Sequence, residues 1–308
     1  MDPVLCSALS ILREVMTLPL RPATLSTHGN GAPEMSDTKP VTRLTVPDIT
    51  ARKGSGKIVV LTAYTTPIAK LLDPHVDILL VGDTVGMVLH GLPSTVGVTL
   101  EMMAMHGQAV MRGSSQALVV VDLPFGTYEG SRTSAHKSAV RLMQETGCQA
   151  VKLESSKHVA ETIRFLTDRG IPVMGHVGLR PQSIHIDGGF NAKGRNERER
   201  EQVMEEAKVT EQAGAFAIVV EGVSSELADE ITREIRVPII GIGASPNCDG
   251  QVLVIDDMLG LFDWTPKFVR RYANLRETVS RAAQAFADDV RTGRFPDQTE
   301  TYKFKIKA

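Results

Sequence analysis

Short apolar runs, each about as long as a β-strand, recur along the chain and alternate with stretches whose apolar residues have helical spacing. One run, DILLVGDT, closes on a carboxylate at Asp83, and others close at Asp122, Glu154, His176 and Glu221. Runs that are apolar at every position are typical of parallel strands buried on both faces. In barrels of such strands the carboxyl ends form the active-site mouth, so Asp83 is the first candidate for chemistry.

The pattern predicts eight strands, at residues 58–63, 77–83, 117–122, 149–154, 171–176, 216–221, 237–243 and 250–257. Helical stretches separate them, and the last helix is predicted between Pro266 and Arg291. A short capped helix near Thr45 is expected to close the bottom of the fold. This alternation favours a (β/α)8 TIM barrel of the α/β class with a short N-terminal capping helix. The rival, an open doubly wound sheet, would need a phosphate-binding fingerprint, and GIGAS lacks its third glycine.

The composition narrows the class of protein. The chain has 308 residues, 42% hydrophobic and 23% charged, which suits one domain of roughly 250 residues with tails. A net charge of −2 without any basic block argues against nucleic acid or a membrane surface as partner. No apolar run approaches the roughly 20 residues of a membrane span, and three scattered cysteines argue against disulfides and thiolate metal sites. We expect a soluble intracellular protein that binds small molecules.

The predicted domain boundaries are an N-terminal extension at 1–38, a catalytic barrel at 39–294 and a C-terminal tail at 295–308. The extension mixes a short amphipathic piece with Ser, Thr, Pro and Gly. Arg13 and Arg21 suggest a mitochondrial transit peptide, whereas Asp2 and Glu14 favour a disordered tail. The localisation is therefore predicted as mitochondrial if the extension is a transit peptide and cytoplasmic otherwise.

Three carboxylates that end neighbouring strands are the candidate metal site. Asp83, Asp122 and Glu154 should converge on one side of the mouth, where they repel one another unless a cation or protons intervene. Oxygen ligands without a convergent His or Cys cluster favour a hard divalent ion, most simply Mg²⁺. The alternative is that one or two of these acids cap loops or pair with Lys152 or an arginine.

Other polar residues near the strand ends are candidates for substrate binding and proton transfer. Lys152 points to the same face as the acid two residues later, and its partner is either a substrate carboxylate or one of the acids. Glu221 ends a strand on the other side of the mouth, where it could act as a base. His176 is a structural histidine or a substrate contact. Tyr64 and Thr84 could each donate a hydrogen bond to substrate.

Several strings spread along the chain resemble one enzyme family. They are TAYTTPIAKLLD, LLVGDTVGMVLHG, VVVDLPFGTYEG, AVKLESS, VMGHVGLRPQS, GGF followed by KGR, VVEGV and IIGIGAS with CDGQVLV. In this order they closely resemble the ketopantoate hydroxymethyltransferase (3-methyl-2-oxobutanoate hydroxymethyltransferase) family of pantothenate biosynthesis. The resemblance runs from about residue 39 to about residue 294.

The resemblance implies a barrel enzyme that uses Mg²⁺ and 5,10-methylenetetrahydrofolate. It would add a hydroxymethyl group to 3-methyl-2-oxobutanoate and form 2-dehydropantoate through a metal-stabilised enolate. The metal-site residues carried over by motif are Asp83, Asp122 and Glu154, and Asp122 is thereby also expected to support keto-acid binding. Thr84 and Lys152 resemble substrate contacts, and Glu221 resembles the catalytic acid/base. Members are typically homo-oligomers, often decamers.

The chain departs from the family pattern in few places. Ser245 replaces a common glycine, and the long loop at 177–200 carries its own charge pattern, which could alter lid motion or folate affinity. The N-terminal extension, absent from compact bacterial relatives, favours a eukaryotic, organellar protein.

Two rival functions stay open. A Mg²⁺-dependent 2-oxo acid lyase or mutase of the phosphoenolpyruvate mutase and isocitrate lyase kind is the nearest, although none of the cysteines lies in the Cys-Gly-His loop that marks those lyases. A non-catalytic barrel that binds a keto acid is the other. It would have no reason to keep both a carboxylate cluster and a separate base.

Overall fold

Eight parallel strands close into a barrel in which neighbours in the chain pair with one another and the last strand pairs with the first. The structure is a computed structural model that describes residues 42–303. The strands are β1 (Ile58–Thr62), β2 (Ile78–Val81), β3 (Leu118–Asp122), β4 (Ala150–Glu154), β5 (Val173–Gly178), β6 (Ala217–Glu221), β7 (Ile239–Ile242) and β8 (Gly250–Leu253). The predicted (β/α)8 barrel is confirmed.

Helices connect these strands, except for β7 and β8, and surround the barrel. In residues 42–303 they are α1 (Val46–Thr50), α2 (Thr66–Leu72), α3 (Val85–Val88), α4 (Leu100–Gly113), α5 (Arg132–Thr146), α6 (Ala160–Thr167), α7 (Ile184–Asp187), α8 (Glu197–Gln212), α9 (Ser225–Glu234), α10 (Ile255–Met258) and α11 (Leu275–Arg291). Single turns of 3₁₀ helix lie at Asp73–His75, Thr95–Gly97 and Pro181–Ser183.

β2 to β7 are buried on both faces, which explains why their apolar runs show little alternation, whereas β1 and β8 are partly exposed on one face. One set of strand side chains, which includes Ile78, Leu118 and Ile240, forms a cluster inside the barrel. The alternate positions, such as Leu79 and Val119, pack in a second cluster with residues of the surrounding helices. A strand places successive side chains on opposite faces, so an all-apolar strand is buried from both sides.

The bottom of the barrel is closed by α1, as predicted. Thr45 caps this helix together with Asp48, because each side chain accepts a hydrogen bond from the main-chain N–H of the other. Ile49 is fully buried against the cluster inside the barrel. Just beyond the helix, Lys53 Nζ lies 2.8 Å from a carboxylate oxygen of Asp249, which also accepts the N–H at the start of β7.

Five strands end at different residues from those predicted. β1, β2 and β7 end one or two residues early, at Thr62, Val81 and Ile242, so Asp83 lies two residues beyond β2. β5 continues past His176 to Gly178, because its last residues pair with the end of β6. β8 ends at Leu253, and the two acidic residues that follow belong to α10 instead.

Capping side chains set where two of the helices begin. α8 begins at Glu197, because the Asn196 side chain accepts the N–H of Glu199 at 3.0 Å. α11 begins only at Leu275, where Asn274 caps it in the same way. In both cases a capping side chain, rather than the apolar periodicity, sets where the helix begins.

Some sequence predictions fall outside the described residues. The N-terminal extension at 1–38, with the transit peptide and the disordered tail as alternatives, lies wholly outside them. Among the described residues, no helix is long and apolar enough to cross a bilayer.

Candidate active site

A cavity at the carboxyl ends of the strands has an empty volume of about 470 Å³, which includes solvent at its open mouth. Its polar lining includes Asp83, Thr84, Asp122, Lys152, Glu154, His176 and Glu221. Its apolar wall includes Leu80, Val219, Ile242, Val252 and Val254. The tertiary structure therefore brings the predicted strand-end residues together in one cavity, while Tyr64 lies one side chain behind the lining.

Lys152 and Asp122 form a buried ion pair at the centre of the site. They are register partners on β4 and β3, and Lys152 Nζ lies 2.9 Å from Asp122 Oδ2. The same oxygen accepts the main-chain N–H of Asp83 at 3.1 Å. Burial acts to lower the pKa of Lys152, but the Asp122 and Asp83 carboxylates outweigh it and raise that pKa, so the lysine is charged. The other oxygen, Asp122 Oδ1, is buried without a hydrogen-bond partner among the described residues.

Gln182 lies between the other two carboxylates. Its Nε2 donates to Asp83 Oδ2 at 2.7 Å, and its main-chain N–H donates to Glu154 Oε1 at 2.8 Å. Its Oε1 accepts the hydroxyl of Tyr128 at 2.6 Å. Gln182 and Tyr128 are both buried next to the candidate metal site. The sequence analysis did not predict either residue as part of the site. The string VGLRPQS, which contains Gln182, was the available signal.

The charge state of Asp83 and Glu154 depends on what occupies the site. Burial, and then the neighbouring Asp122 carboxylate, raise the pKa of Asp83 to about 7 against the opposing effect of Lys152. Burial raises the pKa of Glu154 to about 8, although the N–H of Gln182 favours its charged form. Near neutral pH, protons and a cation therefore compete for these two side chains.

Glu221 lies on the other side of the mouth beside His176. The distance from His176 Nε2 to Glu221 Oε2 is 3.1 Å, but the alignment is not that of a hydrogen bond, and both ring nitrogens are without a hydrogen-bond partner among the described residues. Burial lowers the pKa of His176, so the ring is neutral. The Glu221 side chain is 18% exposed and Asp122 only 4%, so Glu221 is the more accessible carboxylate.

Tyr64 supports the lining rather than forming it. Its hydroxyl lies 2.7 Å from Thr84 Oγ1, and either oxygen can donate. Burial raises the pKa of Tyr64, so the phenol keeps its proton. His106 Nδ1 lies 2.8 Å from the Tyr64 carbonyl and, as the donor of that bond, holds the chain after β1 in place.

The long loop contains more regular structure than the sequence indicates. It includes the 3₁₀ turn at Pro181–Ser183 and α7, and Lys193 Nζ lies 2.6 Å from Asp187. Lys193 also forms a parallel bridge with Val223, which follows β6. The hydroxyl of Ser245, the other departure from the family pattern, bonds with Asp229 and lies outside the cavity lining.

The donor set fits a hard divalent cation. Carboxylate oxygens are the ligands that Mg²⁺ prefers, and the unpartnered Asp122 Oδ1 is an atom that a cation would satisfy. Within residues 42–303, no three His, Cys, Asp or Glu side chains are close enough to form a metal cluster by themselves. The site therefore suits an ion that takes one or two carboxylates directly and completes its shell with water or substrate oxygens.

Comparison with known protein sequences gives one family. The family model described as ketopantoate hydroxymethyltransferase matches residues 43–298. Proteins named 3-methyl-2-oxobutanoate hydroxymethyltransferase from Phenylobacterium zucineum and Hyphomonas neptunium are 64% and 63% identical over 262 and 271 residues. These alignments cover 85% and 88% of this chain and 95% and 98% of the relatives.

Comparison with solved structures supports the fold, and the sequence matches identify the family. Phosphonopyruvate hydrolase in complex with oxalate and Mg²⁺ has a TM-score of 0.55 at 14% identity, covering 83% of this chain and 93% of that protein. For 2,3-dimethylmalate lyase the TM-score is 0.52 at 15% identity, with 83% and 91% covered. At such low identity the likeness to the predicted lyase and mutase rivals shows a common fold alone. The family model and the relatives above 60% identity confirm the predicted resemblance: this chain belongs to the ketopantoate hydroxymethyltransferase family.

Proposed function

We propose that this protein is a transferase that moves a hydroxymethyl group from 5,10-methylenetetrahydrofolate to 3-methyl-2-oxobutanoate and forms 2-dehydropantoate. The observation that carries the proposal is that the cavity has two chemically different sides. Carboxylates suited to a cation and the charged Lys152 lie on β3 and β4 and just after β2, whereas Glu221 ends β6 beside an apolar wall. An enolising enzyme needs these two parts, because one holds the acid and keto oxygens and the other removes the proton.

Asp83 and Asp122 are the proposed direct ligands of Mg²⁺, and Glu154 is the third carboxylate of its site. A bound Mg²⁺ would act as a Lewis acid that polarises the keto group and makes the neighbouring C–H more acidic. Asp122 contributes Oδ1, since its Oδ2 is already bonded to Lys152. The Lys152 ammonium, 2.9 Å from Oδ2, balances part of the negative charge of the site.

The keto acid would be oriented by charge at one end and by apolar contact at the other. The Lys152 ammonium and the Thr84 hydroxyl, which Tyr64 holds in place, are the proposed partners of the substrate oxygens. Leu80, Val219 and Ile242 offer an apolar wall to the branched carbon and its methyl groups. Ile242 is the register partner of Glu221, so this wall adjoins the proposed base.

Glu221 is the proposed base that removes the proton from C3. Its carboxylate is the most accessible one of the three acids Asp122, Glu154 and Glu221 that end strands, and the His176 ring beside it is neutral. The C–H electron pair becomes that of the enolate, whose carbon then forms the new C–C bond to the methylene carbon of the folate. Both C–N bonds of that carbon break and water supplies the hydroxyl oxygen. The C3 proton and the two water protons end on the new hydroxyl and on the two nitrogens of the departing tetrahydrofolate. His176 lines the same part of the cavity and is proposed as a substrate contact.

The test is hydrogen–deuterium exchange at C3 of 3-methyl-2-oxobutanoate in heavy water, followed by proton NMR with and without Mg²⁺ and before any folate is added. We expect Mg²⁺-dependent loss of the C3 signal. In Glu221→Gln the rate should fall by about 10²–10⁴-fold, as for loss of a general base, while Mg²⁺ affinity stays nearly unchanged. Equal rates in the two proteins would remove Glu221 as the base. No exchange and no product after folate addition would favour the lyase or binding-only alternative.

We also propose that the protein is a homo-oligomer and that α11 takes part in the subunit interface. No residue of this helix is buried in the single chain, although its apolar side chains recur at helical spacing. Val279, Phe286 and Val290 are each about half exposed, at 53%, 56% and 47%. Such a stripe is typical of a helix that packs on another surface, and the family resemblance makes a second copy of this chain the expected occupant.

A further inference from the structure

The role of Gln182 extends beyond filling space beneath the site. We propose that Gln182 is a positioning residue that fixes Asp83 and Glu154 for cation binding, and that Tyr128 sets the orientation of its amide. The proposal rests on the proposed function, since it assumes that these carboxylates hold a divalent cation.

The first argument is that both amide hydrogens and the amide oxygen of Gln182 have hydrogen-bond partners. One Nε2 hydrogen serves Asp83 Oδ2 at 2.7 Å, and the other serves the Leu123 carbonyl at 3.0 Å. Oε1 accepts from Tyr128 at 2.6 Å. Turning the amide over would point Oε1 at a carboxylate and a carbonyl, which are both acceptors, so only one orientation is stable.

The second argument is the choice of oxygen on each acid. Because Gln182 engages Oδ2 of Asp83, it leaves Oδ1 as the oxygen available to a cation. Its main-chain N–H engages Oε1 of Glu154 in the same manner. A single buried residue thus determines the rotation of two carboxylates from different strands, which is what hydrogen bonds behind metal ligands do in metalloenzymes.

The third argument is that Tyr128 bonds both to Gln182 and to the main chain of Glu154. Its hydroxyl donates to Gln182 and lies 3.3 Å from the main-chain nitrogen of Glu154, from which it accepts. Burial raises the pKa of Tyr128, so the hydroxyl keeps the proton that it donates. Its side chain is 2% exposed, and it therefore cannot turn away to solvent without disturbing the packing.

The test measures metal affinity apart from turnover. Mn²⁺ binding to the substrate-free protein is followed by electron paramagnetic resonance, alongside the thermal midpoint of the metal-free protein and the C3 exchange rate. Gln182→Met keeps the length of the side chain and removes its amide. We expect the Kd for Mn²⁺ to rise about 10–100-fold, the usual effect of removing such a bond behind a metal ligand.

Gln149→Met is the matched control. Gln149 lies at the opposite end of β4, where its amide makes two main-chain hydrogen bonds with Val119 and Gly147. This variant should lose thermal stability to a similar extent and bind Mn²⁺ like the original protein. A merely structural role of Gln182 would make the two variants alike in Mn²⁺ affinity, which would overturn the proposal.

Tyr128→Phe tests the positioning role of Gln182 if Gln182→Met does not fold. It removes only the hydroxyl that orients the amide, and a Kd raised several-fold supports the proposal, whereas an unchanged Kd overturns it. Failure of the proposed function can be distinguished from failure of the role of Gln182. A protein that binds Mn²⁺ but catalyses no C3 exchange contradicts the proposed function, while the Kd values of the variants for Mn²⁺ still test the role of Gln182. A protein that does not bind Mn²⁺ overturns both.

Discussion

At the scale of single residues, the free-energy cost of burying charge determines the pKa values of the acids in the active site. Asp83, Asp122 and Lys152 are almost inaccessible to solvent, and Glu154 is buried beside them. Asp122 pairs with the ammonium of Lys152 at 2.9 Å. Within residues 42–303, the carboxylates of Asp83 and Glu154 accept hydrogen bonds only from Gln182, and the charged groups around them are more distant. Their pKa values are therefore raised, and a divalent cation would supply the missing charge.

This imbalance predicts how stability depends on pH. The pKa values of Asp83 and Glu154 in the folded protein, about 7 and about 8, lie above those of free carboxyl groups. Folding then favours the protonated forms, so the metal-free protein should be most stable below about pH 4 to 5 as far as these two groups are concerned. That contribution is lost as the pH rises towards about 8. Differential scanning calorimetry of the metal-free protein should show the thermal midpoint falling across this window.

Mg²⁺ should reverse the trend, because it replaces the protons. The rise in thermal midpoint on adding Mg²⁺ is expected to be larger at about pH 8 than at about pH 6. In Glu154→Gln, which removes one of the two titrating groups, the pH dependence of the metal-free protein should become shallower. A Mg²⁺ effect that is equal at both pH values would contradict the assignment of these carboxylates to the metal site.

At the scale of elements, the ends of β5 and β6 and the turn that follows β5 position the catalytic groups. Gly178 is the register partner of Glu221, and the next N–H, that of Leu179, donates to the Glu221 carbonyl at 2.8 Å. Three residues later the chain reaches Gln182. The main chain around the proposed base is therefore joined directly to the segment that holds Asp83 and Glu154.

Gly178→Ala tests this connection. Gly178 has a φ of +93°, and a Cβ there would lie 2.3 Å from the Glu221 carbonyl oxygen. Left-handed strain and the main-chain clash together should lower the free energy of unfolding by about 3 kcal/mol or more. The clash should also displace Glu221, and a shift of about 1 Å at a catalytic group can cost about 10²-fold in rate.

Gly188→Ala is the control for the backbone strain alone. Gly188 has a φ of +67°, but a Cβ there would meet nothing within 4 Å. Urea unfolding should show a loss of about 1–2 kcal/mol for this variant, and the C3 exchange rate of the folded protein should stay near that of the original. If Gly178→Ala left the exchange rate equally unchanged, the packing of the two strand ends would not position Glu221.

At the scale of the whole molecule, the C-terminal helix is the element least explained by the single chain. α11 ends the alternation of strands and helices, yet none of its residues is buried. Trp264 and Tyr272, in the segment before the helix, are 75% and 66% exposed. An apolar surface of this kind on a folded chain usually belongs to an interface.

Val279→Asp should weaken the proposed assembly. Val279 lies on the apolar side of α11 and is 53% exposed, so a charge there costs the single chain little but would be buried between subunits. Analytical ultracentrifugation should show an oligomer for the original protein and a smaller species for the variant at the same concentration. Ser280→Asp, which adds the same charge one residue further round the helix, should leave the mass unchanged. A monomeric original protein, or equal masses for all three, would contradict the role of α11.

The predicted localisation and origin, a mitochondrial and eukaryotic protein, also concern the whole molecule. It depends on residues 1–38, which lie outside the described part of the chain. The relatives named above come from bacteria and give the hypothesis no support. The domain boundaries at 38 and 294 likewise remain predictions, although the family match from 43 to 298 is close to them.

Much of the fold could be predicted from the chain alone because its determinants are local. Apolar runs of strand length, helical spacing and capping residues lie within a few positions of one another, and eight alternations close into a barrel by a general rule. The same rule brings strand ends to one mouth, so the cavity lining from Asp83 to Glu221 could be predicted without coordinates. Element ends were less predictable where a distant pairing set them, as at Gly178.

The amino-acid sequence by itself determined the barrel, its capping helix, the family and the set of acids at the mouth. Only the tertiary structure decided which partner each acid has. Gln182 meets Asp83 across 99 positions of the chain, and Lys152 meets Asp122 across 30. Hydrogen bonds and charge pairs act over a few ångströms in space, and periodicity carries no information about which distant side chains come that close.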